Sequence, residues 1–202
     1  MNRTLLMTAL LAGAALTTSF AASAQSTAAG SVQRDVNQEN RIESGLQNGS
    51  ITTREDSELQ RDEAHVDKLQ ARDMKDGKLT GAEKAQLNAA QNKASRDINT
   101  AEHNGINGNP LSASSQRAQA ETQRNANQQQ RIENGIKGGG LTNHETAKLE
   151  NGESKIDKRE ARAGANGHIS AGENAKIARA DNRESGRIYN KRHNATRRAN
   201  AG

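Results

Sequence analysis

Four short segments of this sequence place oxygen ligands at a spacing that could hold a hard cation. They are Gly49-Ser50-Ile51-Thr52…Glu55, Gly77-Lys78-Leu79-Thr80…Glu83, Gly139-Gly140-Leu141-Thr142…Glu145 and Gly167-His168-Ile169-Ser170…Glu173. In three of them another oxygen, from Asn48, Asp76 or Asn166, stands just before the glycine. Asp76 with Glu83, and Asn166 with Glu173, are the candidate metal ligands, and calcium is the cation they would suit. The same spacing has a second chemistry. A Thr or Ser three residues ahead of a Glu is a capping box: the hydroxyl accepts from the N3 backbone N–H and the Glu accepts from the cap residue's own N–H. The aliphatic before the cap is placed for a hydrophobic staple, and the glycine can take the positive φ that stops the preceding helix. Capping accounts for the glycine, the aliphatic, the hydroxyl and the glutamate without any metal.

Other chemistries find less footing. The five histidines, His65, His103, His144, His168 and His193, show no zinc-ligand spacing along the chain. His103 and His193 each close a predicted helix, where a cation complements the helix dipole. Ser, His and Asp occur as residue types but form no catalytic motif. Gly138-Gly139-Gly140 lacks the Lys-Ser/Thr of a phosphate loop. The abundant carboxylates, such as Glu63 and Asp67 beside Lys68, read as solvated helix-surface pairs. There is no cysteine, which removes thiolate nucleophiles, disulfides and Cys-based metal sites together. The chain is therefore expected not to be an enzyme and to need no cofactor, with calcium as the alternative.

Composition sets the elements that could position any site. Phe20 and Tyr189 are the only aromatic residues, and charged, Asn, Gln and Gly residues dominate. Such a chain borders on disorder, because little apolar area offsets its conformational entropy. A thin core with partly disordered ends is expected, without the apolar walls a sizeable enzyme pocket needs. Net charge is +5, with both signs interspersed except at the C-terminal end, where Arg187, Lys191, Arg192, Arg197 and Arg198 gather. Nucleic acid is disfavoured as a partner, since the aromatic platforms that stack single strands are missing. Arg3, the apolar run Leu5–Leu16 and Ala22-Ser23-Ala24 read as an export signal cleaved before Gln25. The run is too short to span a bilayer. A periplasmic or secreted bacterial location is the expectation.

Shifted by 90 positions, the chain matches itself without a gap: 26 of the 72 residues from 33 to 104 recur identically. Arg41-Ile42-Glu43-Ser44-Gly45 returns as Arg131-Ile132-Glu133-Asn134-Gly135, and His103-Asn104 returns as His193-Asn194. A duplication is the secure reading. Each copy holds two of the glycine-to-glutamate joints, which cut it into three helices. They are predicted near 31–47, 53–74 and 81–103, then near 114–137, 143–163 and 171–195. Leu59, Val66 and Leu69 share one helical face, as do Leu87, Ala90, Ala94, Ile98 and Ala101, in narrow coiled-coil-like stripes. The fold class is all-α: two tandem three-helix repeats. Its divisions are a signal peptide (1–24), a first helical repeat (25–104), a linker around Pro110 (105–115), a second repeat (116–195) and a basic tail (196–202).

Asp76-Gly77-Lys78-Leu79-Thr80 with Glu83 resembles the second half of an EF-hand calcium loop, and the Asn48 and Asn166 segments resemble it similarly. The first half departs: its leading ligand position holds Arg72, Arg162, Ser44 or Asn134. Calcium takes six to eight oxygens, and these loops offer few carboxylates. At larger scale, Arg131-Ile132-Glu133, Leu141-Thr142, Ala161-Arg162-Ala163, Asn166-Gly167 and Ser185…Arg187-Ile188-Tyr189…His193-Asn194 resemble small exported proteins of proteobacteria. That resemblance covers both copies and implies location and architecture. The leading functional expectation is a non-enzymatic exported protein that acts by binding, in the manner of an envelope-stress factor or holdase, with a protein partner or self-association covering its apolar stripe. The alternative is a low-affinity divalent-cation binder that uses the turns.

Overall fold

The computed structural model describes residues 18–196, and the side chains of residues 27–196. Residues 1–17 of the expected export signal and the basic tail from 197 onward, with Arg197 and Arg198, lie outside the described residues. The described chain is six α-helices: α1 (Thr18–Asn48), α2 (Thr53–Asp73), α3 (Gly81–His103), α4 (Ala113–Lys137), α5 (Asn143–Ala163) and α6 (Ala171–His193). A single 3-10 turn, Gly164–Asn166, follows α5. No helix among the described residues is long and apolar enough to cross a membrane.

All four joints form the capping boxes read from the sequence. Thr52, Thr80, Thr142 and Ser170 each stand in extended backbone and accept from the N–H of Glu55, Glu83, Glu145 and Glu173, and each glutamate accepts back. The glycines that precede them, Gly49, Gly77, Gly139 and Gly167, take φ between 68° and 84°. A Cβ at Gly45 would collide with the Ile51 side chain, and one at Gly135 would lie 2.6 Å from Leu141 Cδ1. These helix-interior glycines therefore let the aliphatic of each joint fold back on the preceding helix. α1 differs from expectation at its start: residues 25–30 are helical, because Ala28, Ala29 and Val32 extend its buried face.

The two copies do not stand as separate bundles. α1 packs along α4 and α2 along α5, so each of these four helices lies against its own counterpart more extensively than against any neighbour in its own copy, while α3 and α6 pack chiefly on α2 and α5. The pairs run antiparallel. Ile42, Leu46, Ile51, Leu59 and Ile98 of the first copy share a core with Ala118, Ile156, Ala163, Ile169 and Ile177 of the second. The repeat-related set, Ile132, Ile136, Leu141, Leu149 and Ile188 with Ala28, Val32, Met74 and Leu79, forms the other. These two clusters occupy the two ends of the assembly, and a smaller third, Val66, Leu69 and Leu87, joins α2 to α3. The stripes Leu59, Val66, Leu69 and Leu87, Ala94, Ile98, Ala101 are buried within the chain itself.

Between the two apolar ends the same helical faces turn polar. Along α1 the buried face runs Ala28, Val32, Asp35, Glu39, Ile42, Leu46; along α2 it runs Asp56, Gln60, Glu63, Asp67, Gln70, Met74. α4 and α5 repeat this with Asn125 and Gln129, and with Glu150, Glu153, Asp157 and Glu160. The spacing alternates four and three residues, the period of a packed seam. Glu63 and Asp67 are each 2% exposed. Their reading as solvated surface pairs is therefore corrected: only Lys68 faces solvent, while the two acids follow the seam inward.

Candidate metal centre in a buried acid belt

Fifteen Asp and Glu residues are buried among the described residues, and no Lys, Arg or His is. The belt lies at the middle of α1, α2, α4 and α5, with Asp181 and Glu184 entering from α6. Every buried side-chain atom lacking a hydrogen-bond partner is an acceptor oxygen. Both carboxyl oxygens of Glu63 lack one, and so do both of its counterpart Glu153. An unmet buried acceptor is costly, and an unpaired buried charge more so.

Burial is the first cause of every pKa shift in the belt, and like charge is the second in most of it. Burial pushes Asp35 up to about 7, although Gln70 and Gln91 donate to it. It pushes Asp56 up to about 7 against donation from Gln60 and Thr122. Glu39, Glu63, Asp67, Glu150, Glu153 and Glu160 are all raised well above the usual carboxylate range, by burial and then by neighbouring acids; Asp157 is a neighbour of each. Asp157 itself rises to about 7 through burial, moderated by a hydrogen bond with Asp67. Asp67 and Asp157 are repeat counterparts, so the two copies meet there carboxyl to carboxyl. Two such groups can share a hydrogen bond only with a proton between them.

One part of the belt gathers carboxylates most tightly. Oxygens from Glu121 on α4, Glu160 on α5 and Asp181 on α6 all lie within 4.8 Å of one another. Asn125 Nδ2 donates to Glu160 Oε2 at 2.8 Å, and Gln128 Nε2 donates to Asp181 Oδ1 at 3.3 Å. Arg124 closes the outer side, 3.1 Å from Glu121 Oε2 and 3.8 Å from Asp181 Oδ2. Burial, then the adjoining Glu121 carboxyl, pushes Asp181 up to about 8.

The residues singled out from the sequence lie elsewhere. Asp76 and Asn166 are exposed in the turns, where Asp76 Oδ1 accepts from the Lys78 N–H at 3.0 Å and Asn166 Oδ1 from the His168 N–H at 2.8 Å. Glu83 Oε2 accepts from the Thr80 N–H and hydroxyl, both at 2.8 Å. Glu173 Oε2 does the same with Ser170, at 2.9 and 2.6 Å, and those bonds hold its carboxyl below the usual range. The structure brings Asp76 to the same turn as Glu83, and Asn166 to the same turn as Glu173, with one oxygen of each glutamate committed to its cap. His103 and His193 lie at the ends of α3 and α6, bonded to the carbonyls of Asn99 and Tyr189. Asn104 and Asn194, beside them, donate to the capping glutamates Glu55 and Glu145 and so fasten the outer helices to the first joint of each copy. An open groove between α2 and α3 holds Asp62 and Asp97, both paired with Lys93.

Sequence reasoning missed the belt, and a signal for it was present. The four-three spacing of the seam continues through Asp35, Glu39, Glu63 and Asp67 without a break. Counting apolar residues alone ends the stripe where the acids begin. No protein-family model, curated protein or solved structure matches the chain.

Proposed function

We propose that the chain is a non-enzymatic exported protein that binds hard, oxygen-preferring cations in its acid-lined interior. One observation carries this reading: a buried belt whose unmet atoms are all acceptor oxygens, with no buried basic side chain among the described residues to answer them. Protons answer part of the demand at low pH. At neutral and alkaline pH, a cation that brings charge and coordination together answers it better. All-oxygen donors select calcium, magnesium or manganese over thiophilic or imidazole-preferring metals. The apolar stripe that motivated a client-binding surface is covered by the chain's own helices, which turns the binding reading inward.

Calorimetry of the full chain at pH 8 with calcium, magnesium and manganese tests it. Heat of binding with at least one of them, and a thermal midpoint that rises with its concentration, is the expected outcome. Absence of both for all three metals would sink the reading. Paired variants locate the uptake. Loss in Glu63→Gln/Glu153→Gln with retention in Glu83→Gln/Glu173→Gln places it in the belt, and the reverse pattern places it in the turns.

A further inference from the structure

The duplication supplies an internal control for the three-carboxylate cluster. Subtracting 90 from Glu121, Asn125, Gln128, Glu160 and Asp181 gives Ser31, Asp35, Gln38, Gln70 and Gln91. The first copy builds the equivalent place from one acid and three amides. Gln70 Nε2 donates to Asp35 Oδ2 at 2.5 Å, and Gln91 Nε2 donates to Asp35 Oδ1 at 2.7 Å and to the Ser31 carbonyl at 2.9 Å. Gln38 Nε2 donates to the Gln91 carbonyl at 2.9 Å. Both oxygens of the single carboxyl are satisfied, and the bare acceptors left there are the neutral Gln38, Gln70 and Gln91 Oε1 atoms.

The second copy replaces Ser31 with Glu121, Gln70 with Glu160 and Gln91 with Asp181. Each change exchanges a neutral group for a carboxyl, at residues only 2%, 3% and 2% exposed. Of the three glutamines that donate in the first place, only Gln38 keeps a glutamine counterpart, Gln128. Glu160 Oε1, Asn125 Oδ1 and Gln128 Oε1 have no hydrogen-bond partner, and the two amides are 2% and 4% exposed. Their nitrogens are bonded to Glu160 and Asp181, so both amide heads sit at the cluster. Bare amide oxygens occur in both copies; the second adds three buried carboxyls, and that concentration of acceptors points to a ligand that accepts oxygen donors and carries positive charge.

We infer that Glu121, Glu160 and Asp181, with the Asn125 and Gln128 side-chain oxygens, form one calcium-class cation site in the second copy, and that the first copy carries the same site locked by glutamines. This rests on the cation-binding reading above and assigns it an address. Calcium–oxygen bonds run about 2.3–2.6 Å, so ligands facing each other across the ion lie roughly 4.6–5.2 Å apart. The cluster's three oxygens, all within 4.8 Å of one another, lie inside that span. Magnesium, at about 2.0–2.1 Å, needs facing oxygens nearer 4 Å apart and an octahedral set. Arg124 occupies the outer side as the resident positive charge and is half-exposed.

The test exchanges the two places. In the full chain, Glu121→Ser/Asn125→Asp/Glu160→Gln/Asp181→Gln installs the locked arrangement in the second copy. Ser31→Glu/Gln70→Glu/Gln91→Asp installs the carboxylates in the first. Calcium bound per chain is read by equilibrium dialysis with elemental analysis, and helicity by circular dichroism. The first variant is expected to lose one equivalent, or at least tenfold in affinity, and the second to gain one. Unchanged stoichiometry and affinity in a helical first variant overturns this site while leaving the wider belt reading standing. No calcium uptake by the wild-type chain overturns this site, and the wider reading falls with it only if magnesium and manganese also fail to bind. If the first variant loses helicity, the second decides alone: a gained equivalent supports the site, and no gain overturns it.

Discussion

Glu153 shows what a single residue contributes to this interior. It is 1% exposed, both its oxygens lack partners, and Asp157, Glu184, Glu150 and Asp181 surround it. Glutamine keeps its volume and removes the charge. In the metal-free chain at pH 8, Glu153→Gln is expected to raise stability by about 1–3 kcal/mol, the scale of an unmet buried polar group. At pH 5 the gain should vanish, because the wild-type carboxyl then carries its proton. Chemical denaturation at the two pH values, with chelator present, measures both. A destabilising Glu153→Gln at pH 8 would mean that the carboxylate already has a partner. Arg124 makes the complementary case. It pairs with Glu121 at 3.1 Å and competes with any cation there. Arg124→Gln is expected to tighten calcium binding severalfold, read by calorimetry, and weaker binding would show that the guanidinium supports the site.

At the scale of the helix, two glycines of the second copy separate ordinary propensity from a built-in accommodation. A glycine inside a helix costs roughly 1 kcal/mol against alanine. A Cβ at Gly186, in α6, would meet nothing within 4 Å, so Gly186→Ala should stabilise by about that amount. A Cβ at Gly152, in α5, would fall on the Glu184 carboxyl. Gly152→Ala is therefore expected to gain less than Gly186→Ala, because the Glu184 carboxyl must swing aside, and thermal unfolding of the two variants side by side checks it. The first copy has Asp62 and Ala94 at the matching places, so the second removed one side chain from α5 and sent a longer one in from α6.

Such pairs explain what was legible beforehand. The joints were legible because glycine, cap and glutamate act within one turn, and five of the six helices fall within a residue or two of their predicted bounds at both ends. α1 matches only at its end, since its early start depends on Ala28, Ala29 and Val32 packing in the second apolar cluster. The pairing of α1 with α4 and α2 with α5 was not legible, since a repeat shows likeness and not which copy covers which. The acids at 35, 39, 63 and 67 were hidden for a related reason. Solvation is the ordinary fate of a helical carboxylate, and only the facing helix reveals that water is excluded.

Across the whole molecule, the net charge of +5 conceals an inversion: the buried charges are acidic and the bases lie outside them. This gives the chain an unusual dependence on pH. Burial pushes Asp35, Asp56 and Asp157 up to about 7 and Asp181 to about 8, from the ordinary aspartate value of 3.8. The folded chain therefore holds protons that the unfolded chain releases. The stability these groups contribute is fully present below about pH 4 and is lost as pH rises through about 7 to 8. Each group that titrates this way costs about 1.4 kcal/mol per pH unit across that window. Two of them acting together remove nearly 3 kcal/mol per unit, a large share of the roughly 5–15 kcal/mol typical of a folded domain. Carboxylates held low, such as Glu173 in its capping box, act in the opposite sense but only at more acidic pH. The metal-free chain should therefore lose thermal stability steadily from pH 5 to about pH 8. A bound cation replaces the departing protons, so the gap between calcium and chelator should be small at pH 5 and widen with each unit. Scanning calorimetry across that range, with and without calcium, reads both curves. A metal-free midpoint that stays level or rises toward about pH 8 would contradict a protonated acid belt, and parallel curves would contradict exchange of protons for metal.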